Sequence, residues 1–148
     1  DALSTSTVDG KIYAIGGRPG IFAQGTPLSI VEEYNPETDT WTKKTDMPTA
    51  RWGLATCVVN DKIYAIGGSD GSRALSTVEV YDPKTDTWTK KSDILIPRKW
   101  ASASVVNGKI YVFGVVPTVE EYDTGFRGKS ITPKGKLATS WGKLKAGY

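Results

Sequence analysis

Apolar and polar positions alternate along this chain in runs of strand length, and the runs come back in register. Lys11-Ile12-Tyr13-Ala14-Ile15-Gly16-Gly17 returns as Lys62-Ile63-Tyr64-Ala65-Ile66-Gly67-Gly68 and again as Lys109-Ile110-Tyr111-Val112-Phe113-Gly114. A second set follows each of these: Val31-Glu32-Glu33-Tyr34-Asn35-Pro36, Val78-Glu79-Val80-Tyr81-Asp82-Pro83 and Val119-Glu120-Glu121-Tyr122-Asp123. A third set occurs twice, as Thr38-Asp39-Thr40-Trp41-Thr42-Lys43-Lys44 and Thr85-Asp86-Thr87-Trp88-Thr89-Lys90-Lys91. Sliding residues 31–68 forward by 47 positions gives 20 identities in 38. Self-similarity at such a period is the signature of a repeat architecture.

Each unit reads as four short antiparallel strands. In the central copy, residues 54–59 form strand one and Asn60-Asp61 a two-residue hairpin turn, with Asp9-Gly10 and Asn107-Gly108 in the other copies. Residues 62–66 form strand two, which ends at the glycine doublet. Residues 77–81 form strand three, Asp82-Pro83-Lys84-Thr85-Asp86 a turn, and residues 87–91 strand four. Four strands per period of 47 to 51 residues is the pattern of a propeller blade. The doublets suit places where backbone turns with positive φ or approaches a neighbour. Trp41 and Trp88 open the outer strand, where an indole is expected to cover the apolar face between blades.

A Gly-Gly doublet, then Tyr-Asp-Pro, then Trp, at blade spacing, resembles the kelch repeat. The resemblance covers residues 1 to about 125, with blades at about 1–47, 48–95 and 96–125. The expected fold class is therefore all-β, made of kelch-type propeller blades. The third copy departs from the pattern. Its doublet is Gly114-Val115, the following loop shrinks to Val116-Pro117, and Thr124-Gly125-Phe126 stands where Pro and Trp belong.

Residues 126–148 hold Arg127, Lys129, Lys134, Lys136, Lys143 and Lys145 and no carboxylate, so the segment carries +6 and residues 1–125 carry −3. A solvated segment, or one packed on the acidic body, is expected rather than an anion-binding arm. Its apolar groups argue for an ordered segment that completes blade three or reaches another chain. Trp141 is a candidate for the missing indole. Alternatively Leu137, Trp141, Leu144 and Tyr148 line one face of a short helix, which Gly142 disfavours.

There is no histidine, which excludes His-dependent triads, His general bases and His-ligated metals. Cys57 is the only cysteine, so no intrachain disulfide forms. No P-loop, dinucleotide fingerprint or metal-ligand cluster is present. The paired carboxylates Glu32-Glu33 and Glu120-Glu121 are strand neighbours that point to opposite faces, and are expected at the surface rather than in an acid/base dyad. The Lys43-Lys44 and Lys90-Lys91 pairs fall on outer strands, where lysine discourages edge pairing. No apolar run approaches the roughly 18 residues of a membrane span, and no secretory leader is visible. No cofactor, nucleic acid or membrane partner is expected.

The kelch resemblance implies a non-catalytic module that binds a protein or peptide. It also allows enzymes. The copper oxidases of that class need imidazole, which is absent here. A sialic-acid-mutarotase-like isomerase, needing only acids and Arg, stays open as the alternative, as does a fragment of a longer kelch protein. Strand alternation puts the loops between strands two and three on the same face as the connections between blades. That face is expected to carry Arg18, Phe22 and Gln24 from blade one, Ser69, Asp70, Ser72 and Arg73 from blade two, and Arg51, Trp52, Arg98, Lys99 and Trp100 between blades. Arg with exposed aromatics is a hot-spot composition. Arg51 and Arg98 are repeat-equivalent, so a structural place beside the central channel is the competing reading. Propellers close with four to eight blades. Two copies would give six, so a homodimeric ring is expected, with blade three of each chain meeting blade one of the other.

Overall fold

The computed structural model describes residues 1–20, 25–114 and 118–125, together with the backbone of residues 145–146. Blade one contains β1 (Ser4–Val8), β2 (Lys11–Ile15), β3 (Val31–Asn35) and β4 (Thr40–Lys43). Blade two contains β5 (Ala55–Val59), β6 (Lys62–Ile66), β7 (Val78–Asp82) and β8 (Thr87–Lys90). Blade three contains β9 (Ser102–Val106), β10 (Lys109–Phe113), β11 (Thr118–Asp123) and the short β12 (Lys145–Ala146). Each sheet is antiparallel with its strands in chain order. The outer edge of blade three is short, because β12 pairs only with Thr118 and Val119. Among the described residues no helix is long and apolar enough to cross a membrane.

Turn chemistry sets the registers. Asp9-Gly10, Asn60-Asp61 and Asn107-Gly108 all have positive φ at both positions, which is the type I′ geometry that matches strand twist. Val8 therefore pairs with Lys11, Val59 with Lys62 and Val106 with Lys109. At the far turns, Tyr34 donates its hydroxyl to Asp39 at 2.8 Å and Tyr81 to Asp86 at 2.6 Å. Each tyrosine thus uses its polar tip to close its own turn, with the Tyr81 ring buried and the Tyr34 ring half-buried.

The core lies between the sheets. Val8, Tyr13, Ile15 and Val31 of blade one meet Ile63, Ala65 and Tyr81 of blade two. Cys57, Val59, Tyr64, Ile66 and Val80 of blade two meet Ile110, Val112 and Tyr122 of blade three. Blade two is buried on both faces, and each large aliphatic there contributes about 1.5–3 kcal/mol. Burial also pushes the Cys57 thiol up to about 12, so no thiolate chemistry is available at that position.

Two expectations need correction. Trp88 covers a blade junction and donates its indole N–H to the Thr45 carbonyl at 3.0 Å, but Trp41 is 58% exposed. Among the described residues no blade lies on its side, and its ring rests only on Tyr34 at 5.0 Å. The paired carboxylates are not surface groups throughout: Glu33 and Glu120 are buried, while Glu32 is exposed. Strand alternation sends one member of each pair into a junction, where it finds hydrogen-bonding partners. Glu33 accepts from Lys11 at 2.9 Å and from Tyr13 at 2.7 Å. Burial opposes its charge, but these bonds prevail and hold its pKa below the usual range.

The doublets lodge the next blade's incoming backbone. Gly17 and Gly68 donate their N–H groups to the carbonyls of Arg51 and Arg98 at 2.9 and 2.7 Å. A Cβ on Gly67, whose φ is +61°, would sit 2.5 Å from the Arg98 carbonyl oxygen. Gly67→Ala is expected to destabilise the fold by about 2–4 kcal/mol. Gly10→Ala, at φ +72° with no heavy atom within 4 Å, should cost only about 1 kcal/mol. Urea unfolding of the two variants checks this; equal losses would mean that the close approach carries no energy.

Candidate functional site

The face formed by the connections between blades is built on a backbone ladder. Ala2, Gly53 and Trp100 stand at equivalent positions in the three blades, and all have φ between 56° and 59°. Gly53 donates its N–H to Ala2 and Trp100 donates to Gly53, each at 2.8 Å. A left-handed backbone is ordinary for glycine and costly for tryptophan. The Trp100 side chain is nevertheless 53% exposed. The absent Cβ of Gly53 leaves room for the Trp100 ring, whose nearest atoms would lie 3.4 Å from one placed there.

Trp100 tilts against Trp52, with ring centroids 5.2 Å apart. The Arg18 guanidinium lies over the Trp52 ring at 4.5 Å and the Lys99 ammonium at 5.4 Å. Two cations therefore flank one buried indole, each stabilised by about 0.5–1 kcal/mol. Arg18 also pairs with Asp1 at 3.2 Å. Backbone bonds in both directions between Trp52 and Ser69 tie this cluster to the blade-two loop. In that loop the Asp70 carboxylate accepts from the N–H groups of Ser72 and Arg73, each at 2.9 Å. These bonds hold its pKa low and fix a turn that presents Ser72 and Arg73 to solvent. The patch offers cations and aromatic surface, a combination suited to stacking and charge-assisted hydrogen bonds. Among the described residues no cluster of carboxylates and cysteine is arranged to hold a metal.

Arg51 and Arg98 do not belong to this surface, which corrects their placement among the candidate ligand residues. Arg51 is 0% and Arg98 3% exposed. Each staples the start of its blade to the third strand of the same blade. Arg51 lies 3.0 Å from Glu79 and donates to the Ala65 carbonyl. Arg98 reaches Glu120 at 2.8 Å and donates to the Thr118 carbonyl at 2.9 Å. Burial lowers the Arg51 pKa to about 10, although Glu79 partly offsets it, so the guanidinium stays charged at neutral pH. Ser69 is likewise buried, while Trp52 contributes through its stack rather than an open face. Phe22 and Gln24 lie outside the described residues, as do Leu137, Trp141, Leu144 and Tyr148.

The Kelch motif matches residues 3–48 and 51–93, more than half of the chain. This chain is a kelch-repeat protein. It is 38% identical over 66 residues to an F-box/kelch-repeat protein of Arabidopsis thaliana, covering 45% of this chain and 17% of that one. It is 39% identical over 66 residues to Kelch-like ECH-associated protein 1B of Danio rerio, covering 45% and 10%. It is 38% identical over 73 residues to human Kelch-like protein 28, covering 46% and 13%. Among solved structures, that of YjhT superposes with a TM-score of 0.74 at 20% identity, over 90% of this chain and 52% of YjhT. The kelch chain thus spans less than a fifth of these curated relatives and about half of YjhT.

Within the kelch repeat, the tryptophan in the ladder was the residue whose importance was hardest to read. Its one signal is the 47-residue offset, which aligns Trp100 with Gly53 and so sets a bulky ring on a glycine turn. The buried arginines and the patch cations should separate cleanly. Arg98→Ala is expected to lower unfolding free energy by about 3–5 kcal/mol, since it strands a buried carboxylate. Arg18→Ala should cost less than about 1 kcal/mol. Chemical denaturation of both variants measures the difference, and comparable losses would return Arg98 to the list of surface candidates.

Proposed function

We propose that this kelch arc is a non-catalytic module that binds an acidic or polar protein segment on the face carrying Arg18, Trp52, Lys99, Trp100 and Arg73. The observation that carries this reading is Trp100, an exposed indole kept in a left-handed backbone and packed on Trp52, which two cations flank. Strain of this kind persists where the surroundings over-determine it, and it concentrates at functional positions. The names of the relatives support interaction work more than chemistry. The carboxylates support it too, because the buried Glu33, Glu79 and Glu120 are each engaged by a cation. A sugar isomerase is the competing reading, and NMR of sugar anomer interconversion tests it directly. Partners captured with the wild-type chain should be lost, by at least about tenfold in Kd, on combining Arg18→Glu with Arg73→Glu. Undiminished binding in that variant, with loss on removing residues 126–148 instead, would place the site elsewhere.

Assembly is the second part of the proposal, and it has its own observation. Both ends of the arc present apolar groups to solvent, with Trp41 at one end and Val106 and Phe113 at the other. Two copies closing into a six-bladed ring would bury them. Size exclusion with light scattering is expected to give twice the 16.0 kDa chain mass. A well-behaved species at the chain mass itself would rule out the ring.

A further inference from the structure

We propose that the two end faces are a matched pair: the blade-three face of one chain seats on the blade-one face of a second copy through the contacts that join blade one to blade two. This rests on the two-copy ring above and adds the seam that closes it.

The two internal junctions are chemically different. Between blades one and two, the Ser4 and Ser6 hydroxyls meet the Thr56 hydroxyl at 2.8 and 2.9 Å. On the same side of blade one, Glu33 accepts from Lys11 and Tyr13, and the Tyr13 ring lies 5.9 Å from that of Tyr81. Between blades two and three the hydroxyls are gone. Ala55 and Cys57 stand where Ser4 and Ser6 do, Val80 where Glu33 does, and Ala103 packs against an apolar cluster.

The open faces carry the residues of the first junction. On the outward side of blade three, Ser102, Ser104, Val106, Lys109, Tyr111 and Glu121 repeat Ser4, Ser6, Val8, Lys11, Tyr13 and Glu33. The Lys109–Glu121 pair is already formed there at 2.9 Å, the length of Lys11–Glu33. On the outward side of blade one, Thr5, Ile12, Ala14, Tyr34 and Trp41 repeat Thr56, Ile63, Ala65, Tyr81 and Trp88. The exposed groups are those that the template buries. Val106 is 53% and Phe113 42% exposed, whereas their blade-one equivalents Val8 and Ile15 are buried. Charge agrees as well. Glu32, the equivalent of the arginine-paired Glu79, is exposed, and residues 126–148, which include β12 of blade three, carry six cations and no carboxylate.

The template names the pair to test. Ser6 and Thr56 correspond to Ser104 of one chain and Thr5 of the other. The full-length double variant Thr5→Cys/Ser104→Cys, mildly oxidised, is expected to run on a non-reducing gel at twice the 16.0 kDa chain mass. Each single variant should stay at the chain mass, which also controls for the buried Cys57. Adding Trp41→Glu, at a position exposed in the free arc, should cut the linked fraction at least tenfold. A two-copy wild-type species whose cysteine pair does not link would overturn the seam and leave the ring standing. A wild-type species at the chain mass would overturn both, and a ladder of higher multiples would replace the closed ring with an open string.

Discussion

Every blade in this chain is a four-stranded sheet with apolar groups on both faces, so no blade can satisfy itself. That constraint organises the rest. Only stacking buries both faces, and blade two, enclosed on both sides, shows the finished state: Ile63, Ala65 and Tyr81 face one neighbour, and Tyr64, Ile66 and Val80 the other. The end blades carry closely similar residues with one side uncovered. The glycine doublets are the second half of the same solution. By giving up their side chains they let the carbonyl of the following blade's first residues rest on the preceding sheet and accept a hydrogen bond there.

The buried arginines and the exposed patch are linked through that passage. Arg51 and Arg98 fasten the incoming backbone by charge, to Glu79 and Glu120. The residues just beyond them, Trp52 with Gly53 and Lys99 with Trp100, are thereby held at the mouth of the arc in fixed positions. The strain at Trp100 is tolerated because the ladder and the staple beneath it leave the backbone no other course.

Much of this was legible beforehand, for reasons that are local. The two-residue turns, the strand lengths and the repeat depend on φ preferences and on alternation over a few residues, and the structure agrees to within a residue or so at each strand of the central blade. The arginines were less legible. Arg next to Trp on an inter-blade loop has the composition of a binding hot spot, and only the depth of the side chain separates a staple from a ligand contact. The carboxylates failed for the same reason: Glu32 and Glu120 hold equivalent sheet positions, yet one meets solvent and the other a guanidinium.

By itself the sequence determined that the chain is all β, that it repeats as kelch blades, and that histidine chemistry has no place in it. Those properties follow from residue types and their spacing, which do not depend on what lies across a junction. Tertiary structure alone decided which charges are buried, which of two equivalent tryptophans is covered, and which loop residues form the cationic and aromatic patch. Those outcomes depend on neighbours brought together from residues 22 to 52 positions apart, such as Arg98 against Glu120 or Ser4 against Thr56, and on where along the arc each copy of the repeat happens to stand.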